Sequence, residues 1–206
     1  YSPVLVWRMI WNPSYRRGIA ERMGRVPRSA PGRRVVWIHG VSVGEVKAAS
    51  TLLRELRRVH PELELVLSST TPTGHRQASE RHGDLRVIYY PLDFGAFPAR
   101  ALRRIAPCCV LLVELEIWPN FLRAAQKRGI PVAVVNGRMS EKSFRGYRLV
   151  RGFLPQLTLI DRFCVQDRAY AHRLSALGVA AERIHVTGNL KYDGVLLKDP
   201  PQQSMR

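Results

Sequence analysis

His39-Gly40-Val41-Ser42-Val43-Gly44-Glu45 is the stretch whose reading decides the fold. An apolar run, Val35 to Ile38, leads into it, and Val46, Ala49, Leu52, Leu53 and Leu56 follow at helical spacing, so it is a strand-to-helix corner. Gly40 and Gly44 are expected to let the backbone turn tightly and a ligand approach closely. Ligands of open parallel α/β sheets bind in the crevice outside the carboxyl ends of the strands, which puts the Glu45 carboxylate where chemistry is done. The same letters carry a second reading. Ser42 followed three residues later by Glu45 is a capping box, whose hydroxyl and carboxylate satisfy unpaired N–H groups of a first helical turn. These residues alone leave base and cap both open. Gly44 precedes Glu45 rather than Lys-Ser/Thr, and no G-x-G-x-x-G occurs, which excludes a P-loop and a dinucleotide fingerprint.

Outward from this corner, apolar strand-like runs alternate with helix-like stretches from residue 35 to 189. The expected strands are Val35 to His39, Leu63 to Ser68, Leu85 to Tyr90, Cys108 to Glu114, Val132 to Asn136, Leu159 to Val165 and Arg183 to Thr187. Helices are expected over 43–59, 74–82, 95–105, 119–128, 140–156 and 167–176. The alternation predicts an α/β fold, a Rossmann-like parallel sheet with helices on both faces. Runs of Val, Leu and Ile without polar alternation suit strands buried on both sides.

The chain has 206 residues and a net charge of +17, which points to an anionic partner: nucleic acid, an anionic membrane surface or a phosphorylated substrate. Lys stands only at Lys47, Lys127, Lys142, Lys191 and Lys198, so arginine carries the excess. Cys108, Cys109 and Cys164 lie in apolar runs without metal-ligand spacing and read as buried, reduced thiols of a cytosolic compartment. No run reaches the roughly 18 apolar residues of a spanning helix. Tyr1 to Trp11 is aromatic and apolar, and Arg16, Arg17, Arg22, Arg25 and Arg28 follow it. This is either a membrane-contacting segment whose arginines meet anionic headgroups or a surface helix with a basic flank.

Polar residues without an obvious structural task gather at the carboxyl ends of the strands. Ser68 to Gly74 offers hydroxyls and a helix start that suit an anion or sugar hydroxyls, or simply a Thr/Ser cap followed by Pro72. Pro91-Leu92-Asp93 reads as a turn or another cap. Glu114 closes an otherwise apolar strand and requires a polar partner; Glu116, two residues on, shares its side if the extended geometry persists. Asn136-Gly137-Arg138 precedes a helix capped by Ser140, and Lys191 after the last strand has the look of a cation delivered to the same crevice.

In this order and spacing, Asn12-Pro13-Ser14-Tyr15-Arg16, Glu21 to Gly24, His39 to Glu45, Thr70 to Gly74, Pro91 to Asp93, Glu114 to Asn120, Gly129 to Pro131, Asn136 to Ser140, Leu177-Gly178 and Gly188 to Asp193 resemble the N-terminal half of the 3-deoxy-D-manno-oct-2-ulosonic acid (Kdo) transferases. That resemblance implies the N-terminal, acceptor half of a GT-B glycosyltransferase, in which two Rossmann-like domains face a cleft. It implies Glu45 as the general base that takes the proton from the glucosamine 6-hydroxyl of a lipid A precursor, lipid IVA, in lipopolysaccharide biosynthesis. Kdo then passes from CMP-Kdo with inversion, without a metal or cofactor, and Glu114 and Lys191 stabilise the transition state. Ser42, Gly44, Thr70, Thr73, Gly74, Glu116, Asn136 and Arg138 are expected to bind substrate. The expected divisions are a membrane-contacting segment (1–30), a Rossmann-like acceptor-binding domain (31–190) and a linker (191–206) towards a C-terminal donor-binding domain, absent from the chain, that binds CMP-Kdo. The expected location is the cytoplasmic face of the inner membrane. A basic module that docks an anionic membrane or nucleic acid without chemistry is the alternative. Nucleic acid is not expected as a partner, because neither exposed aromatics interleaved with basic residues nor a recognition helix is evident.

Overall fold

A computed structural model describes residues 16–150 and 155–191. Tyr1 to Trp11, Asn12 to Tyr15, residues 151–154 of the helix expected over 140–156 and residues 192–206 of the linker lie outside the described residues.

Among the described residues, seven strands form one wholly parallel sheet: β1 (Val35–His39), β2 (Glu64–Ser69), β3 (Arg86–Tyr89), β4 (Cys109–Val113), β5 (Val132–Gly137), β6 (Arg162–Val165) and β7 (Ile184–Val186). Their order is β3-β2-β1-β4-β5-β6-β7. The chain steps outward from β1 to β3, then crosses back to lay β4 beside β1. The strand order reverses there, so the crevice of the sheet opens between the carboxyl ends of β1 and β4.

The helices between them are α1 (Ile19–Arg22), α2 (Val43–Val59), α3 (Pro72–Arg81), α4 (Phe97–Ile105), α5 (Pro119–Gln126), α6 (Glu141–Val150) and α7 (Arg168–Ala176). Alternate residues of β1 point to opposite faces. Val35 and Trp37 join a core built with Leu102, Ile105, Phe121 and Leu122 of α4 and α5. Val36 and Ile38 join a second core with Val46, Ala49 and Leu53 of α2 and Ala78 of α3. Every residue of β1 is buried, as a central parallel strand requires.

The element boundaries moved where local chemistry differed from the expected pattern. Pro72 opens α3 behind Thr71, whose hydroxyl accepts from the Gly74 N–H at 3.0 Å, so the helix starts two residues before 74. Residues 155–159 form a 3-10 turn that delays β6 to Arg162, and β4 stops at Val113 because Glu114 turns into the left-handed region (φ 61°). Asp93 caps a helix that does not follow it. Its carboxylate accepts from the N–H groups of Asn120 (3.0 Å) and Phe121 (2.6 Å), supplying α5 with the cap that Trp118 does not give.

The division at residue 30 is not a break in packing. Val26 is fully buried in the larger core, and Arg86, Arg100 and Arg104 donate to the carbonyls of Pro27, Met23 and Val26. Arg22, read as either a headgroup contact or part of a basic surface flank, is fully buried instead: it lies 4.2 Å above the Tyr89 ring and donates to the Thr70 carbonyl at 2.8 Å. Arg16, Arg17, Arg25 and Arg28 are exposed. The thiols are also less uniform than expected, since Cys108 is exposed and Cys109 and Cys164 are half-buried. No helix among the described residues is long and apolar enough to cross a membrane.

Asp93→Ala removes the acceptor of two N–H groups at the start of α5 and is expected to lower stability by about 1–2 kcal/mol, read from urea denaturation. An unchanged midpoint would mean that α5 keeps its first turn by other means.

Candidate functional site

The β1–α2 corner builds the site. Ser42 caps α2 from an extended backbone (φ −113°, ψ 167°), its Oγ accepting from the Glu45 N–H at 3.4 Å. The Glu45 side chain folds back: one oxygen accepts from the Val41 N–H at 2.7 Å and the other from the Ser42 hydroxyl at 2.7 Å. The capping box is therefore real, shifted by one residue, because the carboxylate reaches the N–H before the cap rather than the cap's own. The other side of the same peptide is held too, since the hydroxyls of Ser69 and Thr71 both donate to the Val41 carbonyl, at 2.9 and 3.0 Å.

The glycines serve this packing differently from the sequence expectation. Neither Gly40 nor Gly44 has a positive φ. Gly40 is needed for closeness, because a Cβ there would lie 3.2 Å from the Glu45 Cβ, whereas one at Gly44 would meet only ordinary contact at 3.8 Å. Gly74 is buried, and a Cβ on it would come within 2.3 Å of the Ser69 Oγ. It lets α3 approach the corner.

Glu45 is only 8% exposed. Burial pushes its carboxyl above the ordinary value, the hydrogen bonds from Ser42 and Val41 pull it down, and the Glu114 charge adds to the upward push. Glu116 feels both other acids: burial first, then Glu45, then Glu114 raise it to about 7. The three carboxylates thus lie near enough to feel one another's charge, close to where the strand order reverses between β1 and β4. They meet through the kink at Glu114 rather than through persistence of the strand, which corrects the expected route to the same neighbourhood. Tyr147 of α6 joins them; burial and then the Glu116 charge push its phenol upward. Sequence reading missed it. The available signal was Phe144 and Tyr147, three apart on a helix, both packed on the core.

The end of β1 is packed among aromatic rings and is uncharged. His39, completely buried, stacks on Tyr90 at 3.7 Å, its Nδ1 lying 3.0 Å from the Ser68 hydroxyl and 3.2 Å from the Ser68 carbonyl. Burial lowers it to about 3, so the imidazole is neutral.

The other expected site residues are scattered. Thr70 is buried, its hydroxyl without a hydrogen-bond partner among the described residues, while Thr73 is exposed and leans on the Thr71 hydroxyl at 3.4 Å. Asn136 is buried in a left-handed conformation (φ 55°). Arg138 and Lys191 are exposed, and among the described residues neither forms an ion pair with the three acids. No group of three or more His, Cys, Asp or Glu side chains that could hold a metal ion occurs among the described residues.

Residues 17–194 match the family described as 3-Deoxy-D-manno-octulosonic-acid transferase (kdotransferase). The 3-deoxy-D-manno-octulosonic acid transferase of Bordetella pertussis is 36% identical over 208 aligned residues, covering 93% of this chain and 47% of the relative. Its counterpart from Haemophilus influenzae is 34% identical over 185 residues, covering 88% and 43%. The chain spans about half the length of the curated relatives it matches. Among solved structures, UDP-GlcNAc 2-epimerase from Neisseria meningitidis bound to UDP-GlcNAc superposes with a TM-score of 0.58 at 15% identity, over 80% of this chain and 49% of that one. Acinetobacter baumannii MurG gives 0.51 at 13%, over 84% and 47%. At such identities the likeness shows the fold, that of one half of these GT-B-like proteins.

The Glu116 carboxyl titrates near 7 in the fold against an ordinary 4.5, so the folded state binds the extra proton and stability falls as pH rises between those values. Glu116→Gln should therefore be more stable than the wild type at pH 8, on the order of 2 kcal/mol after solvent screening of a half-buried group, with the difference vanishing below about pH 4.5. The buried His39 slopes the other way, its contribution lost as pH falls from about 6.5 towards 3, but it is common to both proteins and cancels. Urea melts across pH check this. A pH-independent difference would place Glu116 in contact with solvent instead.

Proposed function

Because the chain belongs to the 3-deoxy-D-manno-octulosonic acid transferase family, we propose that it forms the acceptor-side half of an inverting glycosyltransferase that moves Kdo from CMP-Kdo to lipid IVA, with Glu45 as the base. The observation that supports this most is the fixed, buried Glu45 carboxylate at the reversal point of the sheet, within reach of the Glu114 charge.

In this reading Glu45 accepts the proton of the glucosamine 6-hydroxyl as that oxygen attacks the anomeric carbon of Kdo. The bond from that carbon to the phosphate of CMP breaks from the opposite face, its electron pair leaving with the phosphate, and the configuration inverts. Capping and catalysis are compatible. A carboxylate held by two donors has a fixed direction, and each oxygen keeps a further lone pair for the incoming proton. Burial and Glu114 make it more basic, which suits proton transfer at neutral pH. Glu114 offers a charge to the cationic ring that develops as CMP departs, and Lys191 offers one to the departing phosphate; preplaced charges act more strongly in a desolvated cleft than in water.

Ser42 orients the base, and Gly44, Thr70, Thr73, Gly74, Glu116, Asn136 and Arg138 are assigned to the substrate side. Their scatter makes Glu116 and Arg138 the better candidates for direct contact, while Gly74 acts through packing. In this reading the donor CMP-Kdo binds a C-terminal half, and no metal or cofactor takes part. The net charge of +17 suits a phosphorylated lipid in an anionic bilayer, and this reading assigns the protein to the cytoplasmic face of the inner membrane.

A chimera in which this chain replaces the matching half of the Bordetella pertussis relative tests the base. Glu45→Gln should retain acceptor binding and lower transfer by at least a hundredfold, since it removes the proton acceptor while keeping side-chain hydrogen bonds. Near-normal turnover would leave Glu45 only as a cap. Co-sedimentation of the 206-residue chain with anionic vesicles should weaken as salt rises. Equal binding to neutral vesicles, or preference for DNA, would count against the membrane assignment.

A further inference from the structure

Asn136, assigned to the substrate side, gives its side-chain oxygen to a partner within the chain. It sits at the end of β5, 2% exposed, in the left-handed region (φ 55°), where the β5–β6 register shifts between Val134 and Gly137. A left-handed residue at such a bulge redirects its side chain out of the strand's alternation. Its carbonyl accepts from the side-chain Nε2 of Gln166 after β6 at 3.1 Å, and its Oδ1 accepts from the Leu190 N–H, 54 positions along the chain, at 3.1 Å.

That second bond has a consequence for Lys191. β7 is the edge strand, two places away from β5. The chain leaving it at Thr187 therefore returns past the end of β6 to reach Asn136. A left-handed Gly188 (φ 84°) allows the reversal, and the Asn189 side chain accepts from the Lys191 N–H at 3.0 Å to tighten the turn. Without the Asn136 bond, no described hydrogen bond ties Leu190 to the sheet.

We propose that Asn136 is a positioning residue: its side-chain oxygen anchors Leu190 to β5 and so delivers Lys191 from the sheet edge towards the β1–β4 crevice. The role rests on the reading of Lys191 as a transition-state cation, whereas the anchor itself does not. The remaining side-chain donor, Asn136 Nδ2, is buried without a hydrogen-bond partner among the described residues, so the acceptor oxygen alone makes the tie.

Glycine keeps the left-handed backbone and removes the acceptor, so Asn136→Gly isolates the anchor. Hydrogen exchange on the 206-residue chain should show the Leu190 amide at least tenfold faster in this variant, with Val134 and Phe163 amides unchanged. Wild-type protection at Leu190 would overturn the proposal. If protection falls throughout the sheet, Asn136→Asp decides, because it retains an acceptor oxygen: Leu190 protected along with the sheet supports the anchor, and its selective loss overturns it. In the Bordetella chimera, Asn136→Gly and Lys191→Ala should each lower kcat with little change in acceptor KM, and the double variant should be no worse than Lys191→Ala. Full activity of Asn136→Gly beside an impaired Lys191→Ala would overturn positioning. Full activity of Lys191→Ala would instead sink the transition-state reading, leaving the exchange result to judge the anchor.

Discussion

One peptide group holds the functional corner in place. The N–H of Val41 is taken by Glu45 and its carbonyl by two hydroxyls from the next crossover, Ser69 and Thr71. A loop between a buried strand and a helix would otherwise leave those groups in a site too dry to solvate them. Satisfying both sides fixes the helix start, the approach of α3 and the direction of one carboxylate. The small size of Gly40 and Gly74 follows, because each lies where a methyl group would intrude on the partners of that peptide.

Around this hub the electrostatics are opposed to the chain as a whole. The protein is strongly basic, yet Glu45, Glu114 and Glu116 stand within reach of one another's charge, and the imidazole that ends β1 is neutral. Like charges in a desolvated space raise one another's proton affinity. The protein thus carries, at Glu45 and Glu116, carboxylates of raised proton affinity within a chain of strongly positive net charge. Two non-glycine residues in the left-handed region, Glu114 and Asn136, end the adjacent strands β4 and β5. Such conformations cost about 1 kcal/mol or more each and persist where surrounding structure enforces them.

The sheet was legible because its information is local: runs of Val, Leu and Ile for strands buried on both faces, helical spacing between them, and caps at Ser42 and Ser140. Ser42 and Glu45 posed a choice between cap and base, and the geometry makes the cap certain while leaving the carboxylate in the crevice. What could not be read depended on partners distant in the chain. Asp93 caps a helix 26 residues later, Arg22 disappears beneath Tyr89, and Asn136 bonds a segment 54 positions on. None of these leaves a periodicity. The shared side of Glu114 and Glu116 was conditional on an extended backbone, and a left-handed kink at Glu114 removes that condition, although the Glu114 charge still acts on Glu116.

The arginines show what the composition alone conceals. Arg22, Arg86, Arg100, Arg104, Arg173 and Arg183 each donate to a main-chain carbonyl of a remote segment, so part of the basic excess works as internal bracing. A guanidinium carries its donors on a rigid plane and can serve a carbonyl with one edge while keeping others for a second acceptor; an ammonium cannot reproduce that geometry. Exchange for lysine at these six positions would conserve the ledger of charge and still loosen the architecture. The lysine scarcity of this chain therefore has a mechanical side, independent of any ligand.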